Sequence, residues 1–207
     1  MCSIVASKKN DTINDLIKIN QFRGNFSYSF TSLDANNNII NQEKEFGLFS
    51  SSKPIEASFY IAHVQAPTGG LIKDYNRIHP TQINNTYLWH NGIIVPKGIR
   101  FIQSKINTDE TFDTRLLHLA LDTFGFDILN EIEGLFACLY IKENNIFIFR
   151  TKHAKLYIDD DMNISSERFN NSKCINYDTI YKVNENNLEV FGSFKTLRYS
   201  IIVAGEL

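Results

Sequence analysis

The chain has 207 residues, 43% hydrophobic and 21% charged, with 21 basic against 23 acidic side chains and a net charge of −2. A chain of this length can bury roughly 70% of its unfolded surface around its own core, which excludes disordered, collagen-like and disulfide-scaffold classes. No cluster of basic residues offers a nucleic-acid footprint, and no apolar run approaches the roughly 20 residues of a membrane span.

Taken in chain order, strands dominate. Residues 2–6 form a short apolar start, 25–32 alternate around Phe26, Tyr28 and Phe30, 45–50 alternate less cleanly, and 57–64 are apolar and rich in β-formers. The spacing of Ile13, Leu16 and Ile17 predicts a helix over 12–20, with Asp11 or Thr12 as its cap. The stretch 68–86, with Gly69, Gly70 and His79-Pro80, reads as a long functional loop. Residues 87–90, Asn91-Gly92 and 93–95 read as a hairpin, because Asn-Gly accepts the positive φ values of a type I′ turn. A second helix is predicted over 111–124, with Leu116, Leu117, Leu119, Ala120 and Phe124 as its apolar face. A second hairpin follows over 135–150, turning at Asn144-Asn145, and further strands are expected at 155–158 and 188–191. Strands before, between and after the helices give an α+β class.

Three cysteines, Cys2, Cys138 and Cys174, have no paired spacing. That argues against a disulfide framework or a zinc cage. Together with charges that interrupt the start too early for a signal segment, it makes the cytoplasm the expected location. Cys138 and Cys174 are expected to be structural thiols, and the run Asp159-Asp160-Asp161 a solvated turn without calcium-loop spacing.

Three segments carry chemistry. A small residue at position 2 permits removal of Met1, leaving Cys2 with an α-amine of pKa about 7.7–8.0 that can take the thiol proton; a buried first strand is the simpler account of that dipeptide. In His90-Asn91-Gly92 an amide side chain sits beside an unhindered backbone N–H, a pair of donors suited to an oxyanion; a plain turn is the alternative. Asp113 heads the second helix, where it either caps the helix or holds an ammonium group.

Together these segments resemble a class II glutamine amidotransferase domain of the N-terminal nucleophile hydrolase type. The matching motifs run in order: Cys2-Ser3-Ile4-Val5, Phe22-Arg23-Gly24-Asn25, Ala62-His63-Val64-Gln65, His79-Pro80, His90-Asn91-Gly92-Ile93-Ile94, Asp113-Thr114 and Gly134-Leu135-Phe136-Ala137. They are followed by the stretch 150–157 and by Ser165-Ser166-Glu167. The resemblance implies a four-layer αββα sandwich of two stacked antiparallel sheets, as a single domain over 1–207 with no synthase domain attached. It implies L-glutamine as substrate, Cys2 as nucleophile, Asn91 and Gly92 as oxyanion donors, and ammonia passed to a synthase on a separate chain. No metal or cofactor is expected. Substrate contacts are expected from Asp113, which would take the α-ammonium, and from Gln65, Thr68, Arg23, Arg77 and His90. His63 and His90 are expected to organise loops, His118 to be a packing residue, and Trp89 to line the pocket or the core.

The sequence departs from that pattern at Gln65, where the family carries an arginine for the substrate carboxylate. A neutral amide does not replace a charged fork. Three readings stay open: Arg77 substitutes for it, the substrate is an amide without that carboxylate, or the site is degenerate.

Overall fold

The computed structural model describes residues 2–50, 55–66 and 73–197. The chain begins with β1 (Ser3–Ser7), α1 (Asn10–Asn20), β2 (Ser27–Leu33), β3 (Ile39–Phe46) and β4 (Phe59–Gln65). It continues through β5 (Thr81–Ile83), β6 (Thr86–Ile94), α2 (Pro96–Ile106), α3 (Asp113–Phe124), β7 (Gly134–Lys142) and β8 (Asn145–Arg150). Three two-residue strands follow, β9 (Tyr157–Ile158), β10 (Ile164–Ser165) and β11 (Lys173–Cys174), then β12 (Thr179–Val183) and β13 (Leu188–Ser193). Among the described residues the strands form two sheets, ordered β11-β9-β10-β1-β4-β2-β3 and β13-β12-β8-β7-β6-β5. Every pairing within them is antiparallel.

The period of two along each strand sorts side chains into three cores. Ile4 and Ala6 of β1 and Ile61 of β4 meet Trp89, Ala137, Leu139 and Ile148 of the second sheet, so the sheets stack face to face. Val5, Tyr60, Ala62 and Val64 turn outward against Ile13, Leu16 and Ile17 of α1. On the far side, Leu88, Ile94, Phe136 and Phe149 pack against Ile102 of α2 and Leu116, Leu117 and Leu121 of α3. The layers are therefore helix, sheet, sheet, helix, as the resemblance implies. Trp89 belongs to the inter-sheet core.

Several expectations change. The Asn91-Gly92 turn does not exist: β6 runs straight through, and Asn91 and Gly92 pair with Ala137 and Phe136 of β7. Tertiary pairing overrides the local turn preference. Gly92 is required for a different reason, because a Cβ there would lie 2.0 Å from the Leu135 carbonyl oxygen and 2.6 Å from the Phe136 Cα. The second hairpin does turn tightly, but one residue earlier, at Glu143 and Asn144 with φ of 50° and 58°. Of the expected strand over 45–50 only Glu45 and Phe46 are strand, as the end of β3, and residues 47–50 are not. Both long-expected helices start at different residues: α1 follows Lys9 and α3 follows Phe112, neither with a side-chain cap. Within the supposed loop 68–86, residues 68–72 lie outside the described residues, while Thr81–Ile83 form β5 and hairpin into β6. Cys174 is exposed on β11, while Cys138 is buried on β7. Asp159 caps its own turn, Oδ1 accepting from the N–H groups of Asp161 and Asn163.

Helix α2 had no sequence expectation. Pro96 sits in its first turn and Gly98 within it. Gly98 is small for a packing reason: a Cβ there would be 2.5 Å from the Glu133 carbonyl oxygen and 2.9 Å from Ile94 Cγ2. Gly98→Ala ordinarily gains about 1 kcal/mol of helix propensity. Here the overlap is expected to reverse the sign and lower stability by about 1–3 kcal/mol. Urea unfolding measures it, and a midpoint at or above that of the native protein contradicts the close approach.

Candidate functional site

Cys2 leads into β1 on the same face as Ile4 and Ala6, so the strand period points it between the sheets. It is 7% exposed, and its Sγ lies 3.5 Å from the Ala66 carbonyl oxygen just past the end of β4. Arg23, in the turn after α1, donates from Nε to the Cys2 carbonyl at 2.9 Å and pairs with Glu167 through Nη1. Burial pushes the Cys2 thiol above its ordinary range; the Asp113 carboxylate acts in the same direction and Arg23 against it.

The β6 strand brings Asn91 to this end of the sandwich. Its Nδ2 donates to Ser166 Oγ at 2.9 Å, the same oxygen that accepts from the Ile4 N–H at 2.9 Å. Ser166 returns its own N–H to the Ile4 carbonyl. One amide hydrogen of Asn91 is thus committed and the second remains. Backbone direction locates the Gly92 donor. Phe136, opposite Gly92, bonds Thr151 on the β8 side through both its N–H and its carbonyl. Phe136 and Gly92 therefore form a non-hydrogen-bonded pair, and the Gly92 N–H points away from β7. Its neighbours of like parity agree: the His90 carbonyl meets His63 Nε2 at 3.2 Å, and the Ile94 N–H donates to Asp113 Oδ2 at 3.3 Å. The amide geometry expected of a turn is supplied instead by an open strand edge beyond the end of β5.

Asp113 stands in the first turn of α3, with Oδ1 accepting from the Thr114 N–H at 2.8 Å. Thr114 Oγ1 bridges two histidines, 2.9 Å from His79 Nε2 and 3.0 Å from His90 Nδ1. A hydroxyl carries one proton, so at least one ring donates to it, and its own proton goes to the other ring or to Asp113 Oδ1 at 3.5 Å. His63 stacks on His79 with centroids 4.0 Å apart. Burial holds all three neutral: it pushes His63 down to about 3, His79 well below the ordinary 6.5, and His90 below it despite the pull of Asp113. Each keeps one ring nitrogen without a partner among the described residues, Nδ1 of His63 and His79 and Nε2 of His90. Lys44 steadies the adjoining loop by donating to the carbonyls of Ile78 and Pro80, and burial pushes it down to about 8. His118 is satisfied by Thr81 and Thr86 at 2.8 Å each, as a packing residue should be. Among the described residues no group of three or more His, Cys, Asp or Glu is placed to hold a metal ion.

Gln65 ends β4 with both ends of its amide engaged: Oε1 accepts from Ser27 Oγ at 3.0 Å, and Nε2 donates to the Arg77 carbonyl at 3.1 Å. Arg77 lies over the Phe112 ring, 5.6 Å from its centroid, and donates from Nη2 to Thr111 Oγ1 at 3.3 Å. Thr68 lies outside the described residues. The fold thus gathers Cys2, Asn91, Gly92, Asp113, Gln65, Arg77, Arg23 and His90 around one end of the inter-sheet layer. Sequence reasoning missed the linking hydroxyls of Ser27, Thr111, Thr114 and Ser166. Two of these stand inside quoted motifs, but a serine or threonine gives no signal of its partner.

No family model and no curated protein matches the chain. Among solved structures it is similar to glutamine phosphoribosylpyrophosphate (PRPP) amidotransferase from B. subtilis, complexed with ADP and GMP, with a TM-score of 0.69 and 17% identity over 92% of this chain. A second structure, described as the allosteric regulatory enzyme of purine biosynthesis, matches with the same figures. The chain spans about half the length of these structures, 48%. No helix among the described residues is long and apolar enough to cross a membrane. The chain has the N-terminal nucleophile hydrolase fold.

The neutral histidines predict the pH dependence of stability. In the unfolded chain they take up protons as pH falls through about 6.5. In the fold His63 and His118 do so only near 3. The unfolded state therefore binds more protons across that window, so stability is full above pH 6.5 and falls as pH drops toward 3. Each histidine contributes up to about 1.4 kcal/mol per pH unit. Urea midpoints between pH 7.5 and 5 measure the slope, and His118→Gln is expected to flatten it by one histidine's share.

Proposed function

We propose that the protein hydrolyses the side-chain amide of L-glutamine with Cys2 as nucleophile and supplies ammonia to a synthase outside these 207 residues. The observation that carries this reading is the convergence of a buried thiol at position 2 with the Asn91 and Gly92 donors and the Asp113 carboxylate at one end of the sheet stack. Removal of Met1 would free the α-amine, which takes the thiol proton; a buried thiol held above its ordinary range needs such a base. The thiolate attacks the carboxamide carbon, and the oxyanion accepts from the second Nδ2 hydrogen of Asn91 and from the Gly92 N–H. Collapse of the intermediate breaks the carbon–nitrogen bond, and the α-ammonium returns its proton to the leaving nitrogen as ammonia departs. Water, deprotonated by the same amine, cleaves the thioester and releases glutamate.

Asp113 would hold the substrate ammonium. His90 and His63, neutral and turned to Thr114 and to backbone, hold the strand edge in place and do not move protons. The sequence contains neither a Gly-x-x-x-x-Gly-Lys-Ser/Thr loop nor a Ser-Gly-Gly-x-Asp stretch, so activation of the ammonia acceptor is assigned to another chain or domain. With a terminal amine as its base the reading requires a processed N-terminus, and with a free thiol as its nucleophile it requires a reducing compartment such as the cytoplasm.

Intact-mass measurement is expected to show loss of Met1, and one equivalent of diazo-oxo-norleucine is expected to add to Cys2 and to neither Cys138 nor Cys174. Cys2→Ala should lower glutamate release by about three orders of magnitude or more. A retained Met1 with no labelling sinks the reading. Asn91→Ala removes one oxyanion donor and is expected to lower kcat by about 10²–10³ with a smaller change in KM; steady-state ammonia release measures both.

A further inference from the structure

The geometry points to Arg77 as the group that reads the substrate α-carboxylate, with Gln65 as its positioning residue; the inference rests on the amide-hydrolase reading above. Gln65 is 9% exposed and its amide is engaged at both ends, by Ser27 Oγ and by the Arg77 carbonyl. A neutral amide so committed does not offer a carboxylate the paired charged donors of a guanidinium. What Gln65 does instead is fix the C-terminal end of the short turn Tyr75–Arg77. The other end is fixed by Asp74, whose Oδ1 accepts from the Asn76 N–H at 2.9 Å and whose carbonyl accepts from the Arg77 N–H at 3.0 Å. The arginine that ends the turn is therefore presented from a backbone tied at both ends.

The guanidinium rests on Phe112 and donates to Thr111, the two residues that immediately precede Asp113. A cation and an anion thus meet along one short stretch of surface, the arrangement that an α-amino-acid head, with ammonium and carboxylate on one carbon, calls for. Five N–H groups make up the guanidinium fork, and one contact to Thr111 leaves most of it for a ligand. Among the described residues no carboxylate forms a salt bridge with Arg77. Glu110, adjacent in the chain to Thr111, pairs with Arg115 and accepts from the N–H groups of Thr111 and Phe112. Arg23 is occupied with the Cys2 carbonyl and Glu167. The charge absent from position 65 is thereby restored from a loop, and the substrate class narrows to free α-amino acids bearing a side-chain amide, excluding glutamine within a peptide.

The test compares kcat/KM for L-glutamine with that for 4-aminobutanamide, the same amide without the carboxylate. The native protein is expected to prefer glutamine by about tenfold to a hundredfold, the worth of a charge-assisted fork. Arg77→Met is expected to lose that preference through KM, with kcat for glutamine falling far less. Arg77→Lys should recover part of it. Gln65→Met should raise KM for glutamine while Arg77 is intact, which a merely structural role for Gln65 would not do selectively against 4-aminobutanamide. A native protein that cleaves both amides equally well, or an Arg77→Met variant that keeps the native preference, overturns this inference and leaves amide hydrolysis standing. A native protein that cleaves neither amide removes the underlying reading as well.

Discussion

A chain terminus normally frays, yet β1 is paired along both edges, with Ser3–Ser7 against β4 and Val5 and Ala6 against β10. The residue before it inherits that order. Cys2 is further held by the Arg23 contact to its carbonyl and by the Ala66 carbonyl near its sulfur. A free arm in this place would give up about 1–2 kcal/mol of backbone entropy for each residue that had to be ordered. The central position of β1 also fixes which way Cys2 points. Ile4 and Ala6 pack between the sheets, and a slip of one residue would turn the sulfur toward α1.

The second sheet must then be brought into register with the first, and apolar packing alone specifies register poorly. At the Cys2 end two polar links cross between the sheets: Asn91 to Ser166, which also takes the Ile4 N–H, and His63 to the His90 carbonyl. Directional bonds in a region sealed from water are costly to leave unmade, so they select one alignment of β1 and β4 over β6. The close approach of β7 at Gly92 serves the same end, since only a residue without a Cβ lets Leu135 and Phe136 come so near.

The sequence made the layer order and most strands legible because a period of two is a strong local signal: Ile4, Ala6, Ile61 and Trp89 alternate cleanly with their outward neighbours. It misled where local preference and tertiary pairing conflict. Asn91-Gly92 carries the residues of a tight turn, yet eight consecutive pairings to β7 hold it extended. Helix α2 was hidden by Pro96 and Gly98, one acceptable only at a helix start and the other demanded by the Glu133 backbone. The site residues were legible as an ordered set of short motifs. The hydroxyls that join them were not, since Ser27, Thr114 and Ser166 acquire partners only through contacts at long sequence separation.

The distribution of charge explains why the cluster is built this way. Three imidazoles within one buried cluster could not all be charged without mutual repulsion and a desolvation cost of several kcal/mol, so burial leaves them neutral. Neutral rings contribute shape and hydrogen bonds and add no positive field that would stabilise the Cys2 thiolate. Arg23 does act in that direction, but Glu167 pairs with it, while Asp113 opposes it from the head of α3. The sum raises the thiol above its ordinary range and favours its protonated form at rest. With the histidines turned toward Thr114 and toward backbone, the proposed reaction would draw on the α-amine that removal of Met1 would leave on Cys2, a group whose ordinary pKa is near neutrality.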